Sequence, residues 1–306
     1  MNEIHSVAIL GAGAMGAYFA AQFSQAPGFS TVLVARGERL ERLRREGLVV
    51  NQQRYQVPVR NPEEDGDPVD LIIVGLKYHH LTTALPDLRS LVGEETTIIS
   101  VMNGLDSEEI IGAEYGMDKL LYTVSIGIDA VREGNQVTYT NAGRQVFGEA
   151  RNDQISPRVR RVQRAFDRAG IAYETPADML RMLWWKFMVN VGVNQASAVT
   201  RAPYGIFQTL PAGQALMESL MDEVVALAAA RGINLTAQDV KDWYPVLNTL
   251  SPRGKTSMLQ DIEAGRKTEV EMFGGKVVQL GEQLGVPTPA NQAVVRIIQV
   301  LEACAG

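Results

Sequence analysis

The chain reads as an α/β protein: an N-terminal Rossmann domain with a mostly parallel, doubly wound sheet, then an all-α C-terminal domain. Three observations predict this. Gly11-Ala12-Gly13-Ala14-Met15-Gly16 lies between an apolar, β-branched run and a small-residue helical stretch. Further short apolar runs bounded by turn residues follow through the first half. From about residue 175 they give way to long helix-compatible stretches. The expected domains are 1–174 and 175–306, and a chain of 306 residues at roughly 150 per domain also predicts two.

Composition narrows the class. Hydrophobic residues make up 46% and charged residues 21%, which disfavours disorder. The balance of 29 Lys+Arg against 35 Asp+Glu gives a net charge of −6, unlike the basic balance of a nucleic-acid binder. No apolar run approaches the ~18 residues of a membrane helix. The opening Met1-Asn2-Glu3-Ile4-His5 carries an acid and lacks the basic flank and cleavage site of a signal peptide. The single cysteine, Cys304, excludes an intramolecular disulfide framework and a cysteine-based metal site, so a cytoplasmic home is expected.

Val7-Ala8-Ile9-Leu10 reads as a strand buried on both faces, and Ala17 to Phe23 as the following helix. After Pro27-Gly28, Thr31-Val32-Leu33-Val34 reads as a second strand. The G-x-G-x-x-G turn therefore sits inside a βαβ unit. Gly11 permits the tight exit from the strand, Gly13 lets a pyrophosphate approach the backbone, and Gly16 lets the helix pack on the sheet. A tight turn with no ligand is the competing reading. The second strand ends Val34-Ala35-Arg36-Gly37, with no acid at the tip for a ribose hydroxyl. Arg36 can pair with a 2′-phosphate, which favours NADP over NAD. The arginines from Arg39 to Arg45 interleave with Glu38, Glu41 and Glu46 as a solvated helix face.

Asp70 to Lys77 and Thr96 to Val101 read as further buried strands, after a turn at Asp65-Gly66-Asp67-Pro68. They deliver Lys77 and Asn103-Gly104 to the strand ends where ligands bind in open α/β sheets. A simple turn role is equally open for each. Leu120 to Ile126 continues the sheet, and the alternating stretches 136–140 and 145–148 read as an antiparallel addition. Pro157 to Ala169 is an expected helix, with Arg158, Arg161, Arg164 and Arg168 on a solvated face.

In the second half, Thr175-Pro176-Ala177-Asp178 reads as a capped helix start. Further helices are expected over 213–230, 237–248, 267–284 and 289–303, with Gly232 and Gly285 as stops. In the apolar stretch Leu183 to Gln195, Lys186, Asn190 and Asn194 fall at i, i+4 and i+8, one stripe of a buried helix. A buried lysine is costly unless paired. The stripe is read either as facing substrate or as a polar network between helices. Ser257 can donate to an anion and Glu269 can pair with a lysine, although a helix cap and an exposed acid explain them as well. His5, His79 and His80 form no triad, and no metal set is expected.

The chain resembles the 2-dehydropantoate 2-reductases, also called ketopantoate reductases, nearly end to end. The resemblance rests on Gly11-Ala12-Gly13-Ala14-Met15-Gly16, Gly75-Leu76-Lys77, Asn103-Gly104, Lys186-Phe187-Met188-Val189-Asn190 with Asn194, and Ser257-Met258-Leu259-Gln260-Asp261 with Glu269. It implies NADPH-dependent reduction of ketopantoate to pantoate, toward pantothenate and coenzyme A, in a cleft between the domains. By position it implies that Lys186 is the catalytic lysine and Glu269 its acidic partner. Asn190, Asn194 and Ser257 would contact substrate. Gly11, Ala12, Gly13, Ala14, Met15, Gly16, Arg36, Lys77 and Asn103 would hold NADP. A small 2-keto acid is the expected partner, with neither nucleic acid nor membrane, and a homodimer is a candidate assembly. Three positions depart from the family pattern: Tyr204 and Gly254 replace common asparagines, and His80 replaces a glutamine. A reductase of another small 2-keto acid, and a non-catalytic NADPH sensor, are the alternatives.

Overall fold

The computed structural model describes residues 3–64, 66–134 and 136–305. Met1, Asn2 and Asp65, which belong to stretches interpreted above, lie outside the described residues. The chain divides into two compact units, Met1–Met179 and Leu180–Gly306.

The first unit carries strands β1 Ser6–Leu10, β2 Ser30–Val34, β3 Leu48–Val50, β4 Gln53–Tyr55, β5 Val59–Arg60, β6 Leu71–Val74, β7 Thr97–Ser100, β8 Leu120–Ile128, β9 Val131–Glu133, β10 Gln136–Thr138, β11 Ala142–Gly148 and β12 Tyr173–Glu174. Among the described residues, eight form one sheet in the order β12-β11-β8-β7-β6-β1-β2-β5. All its neighbours are parallel except β8 and β11. The chain runs from β1 outward to β2, then returns to β6 on the other side of β1. That reversal opens a crevice beyond the carboxyl ends of β1 and β6.

Alternation along each strand feeds two cores. Val7, Ile9, Leu33, Leu71, Ile73, Ile99 and Leu121 pack with Tyr18, Phe19 and Phe23 of helix α1 (Ala14–Gln25). Ala8, Leu10, Ile72, Val74 and Ile98 pack on the opposite face with Leu81, Leu85, Leu88 and Leu91. Both faces are covered, which is why these strands read as continuous apolar runs. Beyond α1 the unit contains α2 Gly37–Glu46, α3 Leu81–Ala84, α4 Ser107–Tyr115 and α5 Pro157–Ala169.

The structure corrects three expectations here. Of the expected antiparallel addition at 136–148, only the second stretch adds to the main sheet, antiparallel to β8, and the two stretches lie in different sheets. β10 joins a small second sheet, β4-β3-β10-β9, while β11 extends the main sheet against β8. That second sheet includes a hairpin turning at Asn51 and Gln52, both at positive φ, which only Asn51 hints at in sequence. The arginines of α5 are only partly a solvated face: Arg164 is exposed, while others are held by the protein. Arg161 is buried and bonds Asp70 Oδ1 at 3.0 Å and the Glu95 carbonyl at 2.9 Å. Arg168 bonds the Ile4 carbonyl and lies 4.2 Å over the Phe29 ring. The helix expected from Thr175 begins at Met179 instead, because Thr175 accepts from Gln163 and Asp178 pairs with Arg151.

The second unit is helical: α6 Met179–Val189, α7 Gln195–Thr200, α8 Tyr204–Thr209, α9 Pro211–Ala230, α10 Ala237–Leu247, α11 Ser257–Glu263, α12 Lys276–Leu284 and α13 Pro289–Ala305. π-helical turns Asn190–Asn194 and Glu271–Gly275 interrupt or precede these helices. The helix expected over 267–284 therefore starts late, with its first residues irregular. The two π turns touch, and a Cβ on Gly274 would stand 2.1 Å from Gln195 Oε1. No side chain larger than hydrogen fits that approach.

Candidate functional site

The first unit's crevice is built around glycines. Gly11 has φ +103°, and a Cβ there would lie 2.5 Å from the Gly75 carbonyl oxygen. The turn thus crosses directly over the end of β6. A Cβ on Gly16 would meet the Gly11 oxygen at 1.7 Å, so α1 packs on the turn itself. Gly13 differs: its added Cβ would meet only the Gly75 oxygen, at 3.7 Å, and the backbone there stays approachable. Gly13 N-caps α1 without a side-chain bond, and no acid stands in the first turn. Unshielded N–H groups at a positive helix end suit the diphosphate of a dinucleotide. Ala12 is buried, while Ala14 and Met15 are half-buried at the helix start.

Arg36 N-caps α2, its side chain 57% exposed, and it is paired with Asp87, which is buried. Asp87 lies in the 3-10 turn Leu85–Leu91. Lys77 and Asn103 are exposed and follow β6 and β7, at the same sheet edge as Gly11. Both make contacts of their own. Lys77 leads into a 3-10 turn, Tyr78–His80, and Asn103 precedes Gly104 at φ +95°. His80 is exposed, stacked 4.2 Å from the His79 ring.

In the second unit Lys186 ends the polar end of α6, and Asn190 and Asn194 bound the π turn that follows. In a regular α-helix each i+4 step overshoots a full turn by roughly 40°. The wider π turn offsets that drift between Asn190 and Asn194. Each asparagine is 6% exposed. A Cβ on Gly192 would stand 2.4 Å from Met221, so α9 presses the π turn from behind. Burial lowers the Lys186 ammonium to about 8. Desolvation accounts for that shift. Glu269 stands just before the second π turn, its carbonyl accepting from Met272 at 3.1 Å and Phe273 at 3.2 Å, and it makes further contacts of its own.

Ser257 is the exposed first residue of α11, but Thr256 is the cap, its hydroxyl accepting from Leu259 N at 3.1 Å. The capping explanation for Ser257 therefore goes to its neighbour, and the Ser257 hydroxyl is left for other work. α11 packs on the Asn190–Asn194 turn. Tyr204 N donates to the Gly254 carbonyl at 3.0 Å, so two of the departures from the family pattern are neighbours.

Sequence reasoning missed Asp87, because nothing local marks an acid in a 3-10 turn as the partner of an arginine in another helix. It also missed the buried Gln195–Asn291 bond, 2.8 Å long, which ties α7 to α13 beside the stripe. The polar pair in otherwise apolar helices was the available signal. Among the described residues no cluster of three or more His, Cys, Asp or Glu could hold a metal, and no helix is long and apolar enough to cross a membrane.

A model of ketopantoate reductase PanE/ApbA matches residues 7–152, and one of the PanE/ApbA C-terminal part matches residues 178–302. The 2-dehydropantoate 2-reductase of Archaeoglobus fulgidus is 26% identical over 302 residues, spanning 98% of this chain and 99% of its own. The crystal structure of 2-dehydropantoate 2-reductase from Geobacter metallireducens is 26% identical with a TM-score of 0.85, over 96% of this chain and 99% of its own. D-mandelate dehydrogenase, solved with NADH and anilino(oxo)acetate, shares the fold at 22% identity and a TM-score of 0.88, over 98% and 99% of the two chains. With both of its parts matched, this chain belongs to the ketopantoate reductase PanE/ApbA family.

Proposed function

We propose that this chain is an oxidoreductase that reduces 2-dehydropantoate (ketopantoate) to pantoate with NADPH, a step toward pantothenate and coenzyme A. The observation that carries the reading is Lys186: an ammonium shielded enough to fall to about 8, in line with two buried carboxamides, in a chain of this family. Shielding makes the ammonium a better proton donor near neutral pH than a solvated lysine.

The residues of the first unit fit a dinucleotide. The open backbone at Gly13 and the uncapped start of α1 would hold its diphosphate, and Arg36 its 2′-phosphate. Lys77 and Asn103 stand at the same sheet edge. When bound, NADPH supplies the hydride that the keto carbon accepts. Lys186 hydrogen-bonds the keto oxygen and gives it a proton, so that C=O becomes CH–OH. Asn190 and Asn194 orient the substrate's oxygens, and Ser257 donates to its carboxylate. Solvent returns the proton to Lys186.

The test is NADPH oxidation with ketopantoate beside a panel of other 2-keto acids. Ketopantoate is expected to give the highest kcat/KM, and NADPH to be used in preference to NADH. A better substrate elsewhere in the panel would favour the second reading, a reductase of a different 2-keto acid, which the Tyr204 and Gly254 departures support. Tight NADPH binding with no turnover on any acid would leave a sensor.

A further inference from the structure

We propose that Tyr204 reads the substrate's side chain, its phenol donating a hydrogen bond to a hydroxyl on the carbon chain beyond the keto group. This rests on the reductase reading and narrows it to 2-keto acids that carry such a hydroxyl.

Tyr204 opens α8, and two backbone bonds fix it to the turn 252–254. Its own N donates to the Gly254 oxygen at 3.0 Å, and Gly205 N donates to the Pro252 oxygen at 2.9 Å. The ring lies flush on Gly254, where a Cβ would meet Cδ2 at 3.0 Å and Cε2 at 3.3 Å. Glycine at 254 therefore lets the ring seat where any side chain would push it aside. Three residues further on is Ser257, and its helix packs on the turn that carries Asn190 and Asn194. The tyrosine thus belongs to the same packed cluster as the groups assigned to the substrate.

The phenol is half-buried, and burial raises its pKa, so it stays a donor through the neutral range. Among the described residues no hydrogen bond reaches its oxygen. Its oxygen is not among the sealed unpaired polar atoms, so it is open to a partner from outside the protein, water or a ligand. Phenylalanine would seat the same ring without that donor, which makes the hydroxyl the feature to test.

The experiment compares two acids that differ only in the hydroxyl: ketopantoate and 3,3-dimethyl-2-oxobutanoate. Their kcat/KM values are measured with NADPH for the wild type, Tyr204→Phe and Gly254→Ala. Tyr204→Phe is expected to lower kcat/KM for ketopantoate roughly tenfold and to leave the des-hydroxy acid nearly unchanged. Gly254→Ala, which displaces the ring, should shift the same ratio in the same direction. An equal effect on both acids, or none on either, overturns the proposal and leaves Tyr204 a packing residue. A wild type that reduces neither acid overturns the reductase reading beneath it, a result distinct from an unmoved ratio.

Discussion

The guanidinium of Arg36 is gripped by the buried carboxylate of Asp87: Nε donates to Oδ2 at 3.1 Å, and a terminal nitrogen pairs with Oδ1. The arginine assigned to the 2′-phosphate is therefore braced from beneath, with more than half of its side chain still open to solvent. Arg36→Ala should weaken NADPH binding far more than NADH binding. It should also lower stability by about 1–3 kcal/mol, because Asp87 is left buried without its charged partner. Cofactor titrations and thermal unfolding check both; equal losses for the two cofactors would refute the phosphate role, and an Asp87→Asn variant should abolish the stability part.

Two glycines of one turn are expected to fail differently. Gly13→Ala places a methyl where only ordinary contact exists, so the protein should fold with a nearly unchanged melting temperature. The same methyl occupies the approach to the backbone, and NADPH should bind at least about tenfold more weakly. Gly16→Ala drives a methyl to 1.7 Å from the Gly11 oxygen and should destabilise by more than about 3 kcal/mol. Paired calorimetry and fluorescence titration separate the two; a stable Gly16→Ala variant would contradict the packing described.

Lys186→Ala should lose about a hundredfold or more in kcat, with NADPH binding intact. In the wild type, activity should fall as pH rises through about 8, where the ammonium deprotonates. The stability linkage has a definite sign. The folded state holds this proton less tightly than the unfolded chain, so the penalty is fully present below about 8 and is relieved toward the ordinary lysine value of 10.5. Lys186→Met should therefore be the more stable protein at pH 7, by up to about 3 kcal/mol, while being inactive. A pH-rate profile flat to pH 10 would remove the lysine from proton transfer.

Glu108 offers a control with the opposite sign. It lies buried on α4, at the end of a chain in which Ser100 Oγ donates to Ser107 Oγ, and Ser107 Oγ to Glu108 Oε2, each at 2.8 Å. Burial raises its carboxyl to about 7. The folded state holds this proton more tightly than the unfolded chain, so its contribution is full below about 4.5 and is lost as pH rises through 7. Glu108→Gln should gain stability over the wild type at pH 8 and not at pH 4, by denaturant titration at the two values. A gain independent of pH would show that the carboxyl is not titrating in the fold.

The Rossmann half was legible because its signals are local: the glycine spacing, the apolar runs and the helix starts are set by neighbours within a few residues. The same holds for the stripe of Lys186, Asn190 and Asn194, whose helical repeat is written in the chain. The sequence by itself therefore determined the parallel sheet, the glycine turn, the helical second unit and the residues offered for chemistry. What it could not determine were relations between distant segments. Nothing near Arg36 in the chain announces Asp87, and nothing near Arg161 announces Asp70. Only the tertiary structure decided these. Which charge meets which is fixed by packing across tens of residues, and no periodicity carries that information; the π turn under the two asparagines is likewise set where Gly192 meets Met221, by contact and not by spacing.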